Sequence, residues 1–530
     1  MSRTVPPRQA RDPGILYHNH VYYQTHPDRM ATLATLFGLE PPPVERCRVL
    51  ELGCGRGANS IAMAAQLPES VFVGVDLSAP QIAEARALAE SLGLRNIDLR
   101  AADLRTLGTK LGRFDYIIAH GVYSWVPADA RERLMALCGE LLTPHGMAYI
   151  SYNTNPGWRT LSIVRDAMRY RSSAIAEPRA RVDTALAALD YLEESIVEGE
   201  RPTPLSHAIA TVRRSLEQAG AERDIVLLHE WLAPVNEPVY FHEFVAHAAR
   251  HGLQFLTEAE FSARVPPGVA SGAAEGARRL SDDLVEREQM VDFVRDTQFR
   301  RSILCRAEAP LDRALRPARL MKLFAASQAD PLSPAADLRP GVVERFRAAN
   351  GATLSVDHAL SKAALRHMCA IWPKAIVFGD LVEVAGAELP PESWDVEPER
   401  DLITLAATLL QAFCYSTRLV SLHTYAPHVA AAAGAFPHAA AIARVLARTG
   451  SDVPNVYHDE IALDPLMHYL LPQLDGTRDC ATLIEGLLRL VARGAVHIES
   501  GPNDDILQVA AAELDGALNR LALSGLLIES

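Results

Sequence analysis

Val49-Leu50-Glu51-Leu52-Gly53-Cys54-Gly55-Arg56-Gly57, with Asp76 nineteen residues further on, is the stretch whose reading decides the fold of this 530-residue chain. Val-Leu-Glu-Leu has the apolar character of a buried strand, and glycines at alternating positions let the backbone turn tightly without Cβ clashes. Residues 58–67 then read as a helix whose first N–H groups face whatever the turn holds. A second apolar strand, Val71 to Val75, ends in Asp76, a carboxylate placed to hold two ribose hydroxyls. The unit is a nucleoside-binding βαβ.

Spacing separates the nucleosides. A dinucleotide fingerprint runs G-x-G-x-x-G and opens a turn for a pyrophosphate. Here the glycines run G-x-G-x-G, and Glu51 stands two residues before the first. A carboxylate there repels a pyrophosphate but suits a ligand carrying an ammonium and a sulfonium. S-adenosyl-L-methionine has both cations and no phosphate, and is the cofactor expected.

The next elements extend the unit. Ser78 caps a helix with Pro80 in its first turn, apolar at Ile82, Ala85, Leu88, Ala89 and Leu92 and closed at Gly93. Asn96 to Arg100, Phe114 to Ala119 and Gly146 to Tyr152 read as strands, with a helix over 128–142 before the last. Alternating strands and helices predict an α/β, doubly wound, Rossmann-like sheet with ligands at the carboxyl ends of its strands. Cofactor contacts are expected from Glu51, Gly53, Cys54, Gly55, Asp76, Leu77, Ala102, Asp103, Leu104 and His120, with Asp103 accepting from the adenine amino group. The pattern over roughly residues 45–155 resembles the class I S-adenosylmethionine-dependent methyltransferases.

Composition bounds the alternatives. A chain of this length, 49% hydrophobic, can bury several cores. Residues 1–14 are rich in Arg and Pro without an apolar stretch, unlike a secretory signal, and the alanine-rich run at 429–436 is too short to span a bilayer. Seven cysteines are scattered with no C-x-x-C pair, which points to reduced thiols and a cytoplasmic location. The net charge of −13 argues against nucleic acid as a partner.

The chain divides into an N-terminal lid arm (1–44), a core (45–160), a helical insertion (161–235), a segment completing the sheet (236–308) and a C-terminal region (309–530). In the arm, Thr25-His26-Pro27-Asp28 caps a helix of Met30, Leu33, Ala34 and Phe37, and Pro41-Pro42-Pro43 is a stiff spacer. The C-terminal region holds two weakly repeated helical stretches. Each ends in a short apolar segment of strand character, Ala375 to Phe378 and Gly525 to Glu529, as α-rich winged-helix-like modules would. The helix after Cys480 is neutral to acidic, so protein contact fits these modules better than DNA.

Three phrases sharpen the resemblance: His120 to Pro127, Ser151 to Trp158 and Leu228 to Phe241. Together they are similar to bacterial methyltransferases with a methyltransferase regulatory domain, including rickettsial protein-lysine methyltransferases that act on an outer-membrane protein. Leu474 to Asp479 resembles their winged-helix-like C-terminal segment. The sequence departs from the family at Ala58, where a further glycine is expected, and before Tyr17, where the lid tyrosine is missing. The resemblance implies methyl transfer to lysines of a protein substrate. A small-molecule N- or O-methyltransferase and a non-catalytic cofactor-sensing scaffold are the competing readings. The sequence leaves room for a homodimer.

Methyl transfer from a sulfonium needs positioning and exclusion of water, and an acceptor amine must first lose a proton. Tyr17, His120, Tyr123, Trp125, Tyr152 and Asn153 are the candidates for the acceptor wall and proton handling. Asn155-Pro156-Gly157-Trp158 reads as a turn, and His242 and His247 lie on different helix faces. His247 and His251 are one turn apart, but the sequence offers no third ligand, so no metal is expected. Arg300-Arg301 and the trio Arg313, Arg316 and Arg319 read as solvated faces.

Overall fold

A computed structural model describes residues 20–196, 203–261, 272–335, 337–390, 398–448, 450, 452–494, 496 and 505–529. Its main sheet has seven strands in the order β3-β2-β1-β4-β5-β7-β6. These are β1 (Arg48–Leu52), β2 (Val71–Asp76), β3 (Ile97–Ala101), β4 (Phe114–Ala119), β5 (Leu142–Asn153), β6 (Leu253–Glu258) and β7 (Phe299–Arg306). The first five are parallel, and β7 runs antiparallel between β5 and β6. Glu51 pairs with Gly74 on one side and Ile118 on the other, so the quoted stretch lies at the strand-order switch between β1 and β4. The carboxyl ends of strands flanking such a switch leave a crevice for a ligand.

Helices α1 (Pro27–Leu36), α2 (Ala58–Gln66), α3 (Ala79–Ser91) and α4 (Ala128–Leu141) precede or connect the strands. Ser78 caps α3 by accepting from the Gln81 N–H, and the His26 ring accepts from the Asp28 N–H at the start of α1. After β5 the chain leaves the sheet as α5 (Gly157–Ser172), α6 (Pro178–Glu194), α7 (Pro204–Gln218) and the short α8 (Arg223–Val226). Trp158, Leu161, Val164, Leu189, Val212 and Trp231 close a separate apolar cluster there. The chain rejoins the sheet through α9 (Phe241–Arg250) and β6, then α10 (Ala273–Leu280), α11 (Leu284–Arg295) and β7.

Arg300 corrects the sequence reading. It sits on β7, an interior strand, and is 5% exposed. Its guanidinium donates to both Asp292 oxygens at 2.9 Å and to Glu258 at 2.9 Å, and lies 4.0 Å from the Phe241 ring centroid. Arg313 and Arg319 likewise donate to main-chain carbonyls of Leu256 and Leu36, while Arg316 stays at the surface. Pairing of an antiparallel β7 between two strands turns alternate side chains inward, where a charge needs partners.

Residues past 309 form α12 (Ala359–Ile371), α13 (Phe378–Ala387), α14 (Pro398–Tyr415) and two small sheets. Leu320, Phe346, Leu365 and Phe413 join one apolar cluster with Met30 of α1 and with Phe72, Tyr116 and Tyr149 of the main sheet. The arm helix therefore lies inside a shared core. At its start the Asp28 carboxylate accepts from the Thr424 N–H at 2.6 Å and faces His423 Nδ1 at 2.7 Å. The final unit holds α15 (Ala441–Leu446), α16 (Pro465–Leu470), α17 (Cys480–Ala492), α18 (Ile506–Leu523) and a hairpin of Asp452–Pro454 with Glu460–Ala462. Its core contains Leu470, Leu483, Leu487, Leu514 and Leu518. The strand expected at 525–529 is reduced to one bridge, Leu527 with Ala439, because the facing segment turns directly into α15. Among the described residues no helix is long and apolar enough to cross a membrane.

Removing the hub of a buried ion network leaves uncompensated charges. Arg300→Met is expected to lower stability by about 3–5 kcal/mol. Arg316→Ala, at the surface, should cost less than about 1 kcal/mol. Chemical denaturation of the two variants beside wild type checks the contrast.

Candidate active site

The turn after β1 is built around a buried carboxylate. Gly53 has φ +79°, and a Cβ on it would run into the Val122 side chain, so a residue with neither constraint is required there. The Gly53 and Cys54 N–H groups both donate to the Val75 carbonyl at 2.7 and 3.1 Å, fixing the turn against β2. Glu51 accepts from Asn59 Nδ2 at 2.9 Å and from the Ser60 hydroxyl, both in the first turn of α2. Burial pushes its carboxyl up to about 7, against these hydrogen bonds, which lower it. Asp76, at the end of β2, accepts from the Gly55 N–H at 2.9 Å and the Ser78 N–H at 2.8 Å.

Glu51, Gly53, Cys54, Gly55, Asp76, His120, Gly121, Trp125 and Asn153 line one cavity of about 490 Å³. His120 is pinned by the Tyr149 hydroxyl, 2.9 Å from its Nδ1, and stacks on Tyr22 of the arm at 3.7 Å between centroids. Burial, with a lesser effect from Arg301, lowers its imidazole to about 3, so the ring is neutral near pH 7. Asn153 donates through Nδ2 to Asn236 at 2.9 Å. Trp125 meets Trp158 edge-on at 6.4 Å, and Trp158 meets Trp231 at 5.5 Å, so the far wall is aromatic and comes largely from the helical insertion. Glu230, Gln298 and Phe299 complete it.

Other expected residues lie elsewhere. Tyr123 and Tyr152 are core residues packed against each other and against Phe244: the Tyr123 hydroxyl meets His247 at 2.8 Å, and the Tyr152 hydroxyl meets Ser302 at 3.2 Å. Alternation along β5 explains Tyr152, whose neighbour Asn153 ends the strand in the cavity. Leu77, Ala102, Asp103 and Leu104 follow the ends of β2 and β3 without lining the cavity. The Asp103 carboxylate is held by the Arg105 side chain, which also lowers its pKa. Tyr17 lies outside the described residues.

Sequence reasoning missed the residues that hold Glu51. Asn59 and Ser60 directly follow the glycine turn, and that adjacency was the available signal. Asn59 Oδ1 accepts from the Tyr22 N–H at 3.1 Å and meets His458 Nε2 at 2.8 Å. His458 comes from the hairpin of the C-terminal unit, 399 residues away, and no spacing announces it.

Comparison with known proteins agrees with this geometry. Three family profiles match: a methyltransferase domain over residues 49–146, a predicted methyltransferase regulatory domain over 223–306, and the PKMT C-terminal winged helix domain over 436–526. RP789 of Rickettsia prowazekii is 36% identical over 299 residues, which are 56% of this chain and 53% of that protein. RP028 of the same organism is 32% identical over 242 residues, 46% of this chain and 95% of that protein. The chain thus spans about half the length of the first of these relatives and nearly all of the second. The structure of PKMT2 from Rickettsia typhi in complex with AdoHcy superposes with a TM-score of 0.83 at 25% identity, covering 97% of this chain and 100% of that one. The glycine turn with its buried acid, the sheet order and the matched regions agree, and the chain belongs to the S-adenosylmethionine-dependent class I methyltransferases that carry a methyltransferase regulatory domain and a PKMT-type C-terminal winged helix.

Proposed function

We propose that the protein transfers the methyl group of S-adenosylmethionine to a lysine side chain of a protein substrate. The observation that carries this reading is a cavity whose carboxylate end, Glu51 and Asp76, continues into a wall of Trp125, Trp158 and Trp231. Glu51 suits the cofactor's ammonium, Asp76 its ribose hydroxyls, and the AdoHcy held by PKMT2 is the matching product of such a transfer. An aromatic wall suits a long aliphatic side chain ending in an amine, because it packs the methylenes and strips water from the nitrogen.

The amine must be neutral to react, and its unperturbed pKa is about 10.4. Desolvation against the aromatic wall lowers it, and the proton leaves to solvent before attack. His120, with a pKa lowered to about 3, is too weak a base to keep that proton and serves instead to fill the wall beside Tyr22. With its amide nitrogen committed to Asn236, Asn153 offers its carbonyl oxygen to orient the amine. The nitrogen lone pair then attacks the methyl carbon in line, the carbon–sulfur bond breaks, and the electron pair stays on sulfur. The arm that supplies His20 and Tyr22 to the cavity serves as its lid.

Calorimetric titration with S-adenosylmethionine is expected to show saturable binding, weakened by about 100-fold or more in Asp76→Ala, the worth of one to two hydrogen bonds to a charged group. No binding to wild type would overturn the reading. With methyl-labelled cofactor and a cell lysate, acid hydrolysis of the labelled protein should return N-methylated lysine. Trp125→Ala should lower kcat/KM by about 10-fold or more with little change in cofactor affinity. Label confined to small molecules would sink the lysine assignment.

The pH dependence follows from Glu51. Its native pKa of about 7 lies above that of an exposed glutamate, about 4.3, so the native state keeps a proton that the unfolded chain releases. Native stability without cofactor therefore falls as pH rises through that window. A bound ammonium favours the ionised carboxylate, so cofactor affinity should rise from about pH 6 to about pH 7.5 with proton release on binding. Glu51→Gln should flatten the rise, and calorimetry in buffers of different ionisation enthalpy measures it.

A further inference from the structure

Helix α9 belongs to the stretch matched by the regulatory domain, and its C-terminal end packs on α4 of the core. The contact is close: a Cβ at Gly139 would collide with the His251 carbonyl oxygen. His247 on the last turn of α9 and His251 just past it share one side, as a spacing of four dictates. Opposite them, α4 presents Glu132, the third group that the sequence alone did not offer. His251 Nε2 lies 2.8 Å from one Glu132 oxygen, and His247 Nε2 lies 3.0 Å from the other. The ligand atoms of all three residues fall within 4.8 Å of one another.

Two imidazoles and a carboxylate converging from two elements form a donor set for a divalent transition metal. Tetrahedral zinc, with bonds of about 2.0–2.2 Å to such ligands, places its donor atoms about 3.3 Å apart. The rings meet different Glu132 oxygens at 2.8 and 3.0 Å, with all donor atoms within 4.8 Å of one another, so binding would draw one carboxylate oxygen toward both rings by small side-chain rotations. The inner ring is also held as a metal ligand needs. His247 Nδ1 meets the Tyr123 hydroxyl at 2.8 Å, which orients the ring and keeps Nε2 turned toward the carboxylate. The C-terminal end of α9 carries the negative pole of its dipole, which favours a cation there. Arg250, 3.8 Å from Glu132, competes for the carboxylate but is largely exposed and free to swing away.

We propose that Glu132, His247 and His251 form a divalent-metal site of zinc type that fastens helix α9 of the regulatory segment to helix α4 of the methyltransferase core. None of the three lines the cavity described above, so the metal has no part in methyl transfer. Tyr123, the outer partner of His247, lies in the same loop as His120 and Trp125. Glu132 is half exposed, which leaves a fourth coordination position for water.

The test uses the full chain, stripped with a chelator and titrated with zinc by calorimetry and with cobalt by visible absorption. One equivalent of each is expected, with a cobalt spectrum of nitrogen and oxygen ligation. His251→Gln and Glu132→Gln should each weaken zinc by more than about 100-fold, and Tyr123→Phe, which removes only the outer hydrogen bond, by about 10-fold. Circular dichroism of the two carboxamide variants guards against misfolding, and each variant reports independently of the other. Absent zinc binding, equal affinity in wild type and both carboxamide variants, or a thiolate-to-cobalt charge-transfer band would each overturn the proposal.

Discussion

A carboxylate stripped of water is the constraint on which the rest of this structure depends. Glu51 sits at the end of a central strand, buried at the inner end of the cavity, where ionisation is opposed by desolvation and made bearable by hydrogen bonds. Asn59 and Ser60 supply those bonds from α2. Asn59 is oriented in turn by the Tyr22 amide, the Thr25 hydroxyl and His458. The acid that suits a cationic cofactor is thus held by the core, the arm and the C-terminal hairpin at once. Each of these parts has a reason to be where it is that a sheet alone would not provide.

The same dependence runs through the packing. Helix α1 is buried on nearly every side because it shares a core with the main sheet and with Leu320, Phe346, Leu365, Phe413 and Leu422. Asp28 at its start joins Thr424 and His423, so the arm is fixed at the end from which Tyr22 reaches His120. On the other side of the cofactor helix, Ile442 of α15 packs with Ile61 and Ala62 of α2. The aromatic wall has a similarly composite origin. Trp125 follows β4, Trp158 lies in the first helix after β5 and Trp231 follows α8, and the three meet because the helices after β5 fold back toward the carboxyl ends of β1, β2 and β4.

Much of the fold was legible in the chain. The first five strands of the main sheet and the helices between them follow from runs of apolar residues, caps such as Ser78 and stops such as Gly93, all of which act over a few residues. The errors share a cause as well. Tyr152 and Asn153 are adjacent, so a strand sends one into the core and the other into the cavity, and only the register decides which. Arg300 looked solvated because its partners, Asp292 and Glu258, come from different elements. The winged-helix strand at the C-terminus dwindled to a bridge because its partner segment turned into a helix.

By itself, then, the sequence determined the nucleoside-binding turn, the acid that favours a cationic ligand and the succession of strands and helices, since these rest on local backbone freedom and periodicity. Tertiary structure decided which aromatic rings face the cavity, which charges are buried, and that His458 and Glu132 stand beside groups 399 and 115 positions away. Those meetings depend on how whole elements pack, and packing is set by the shape of every buried side chain together. No short stretch of the chain carries that information.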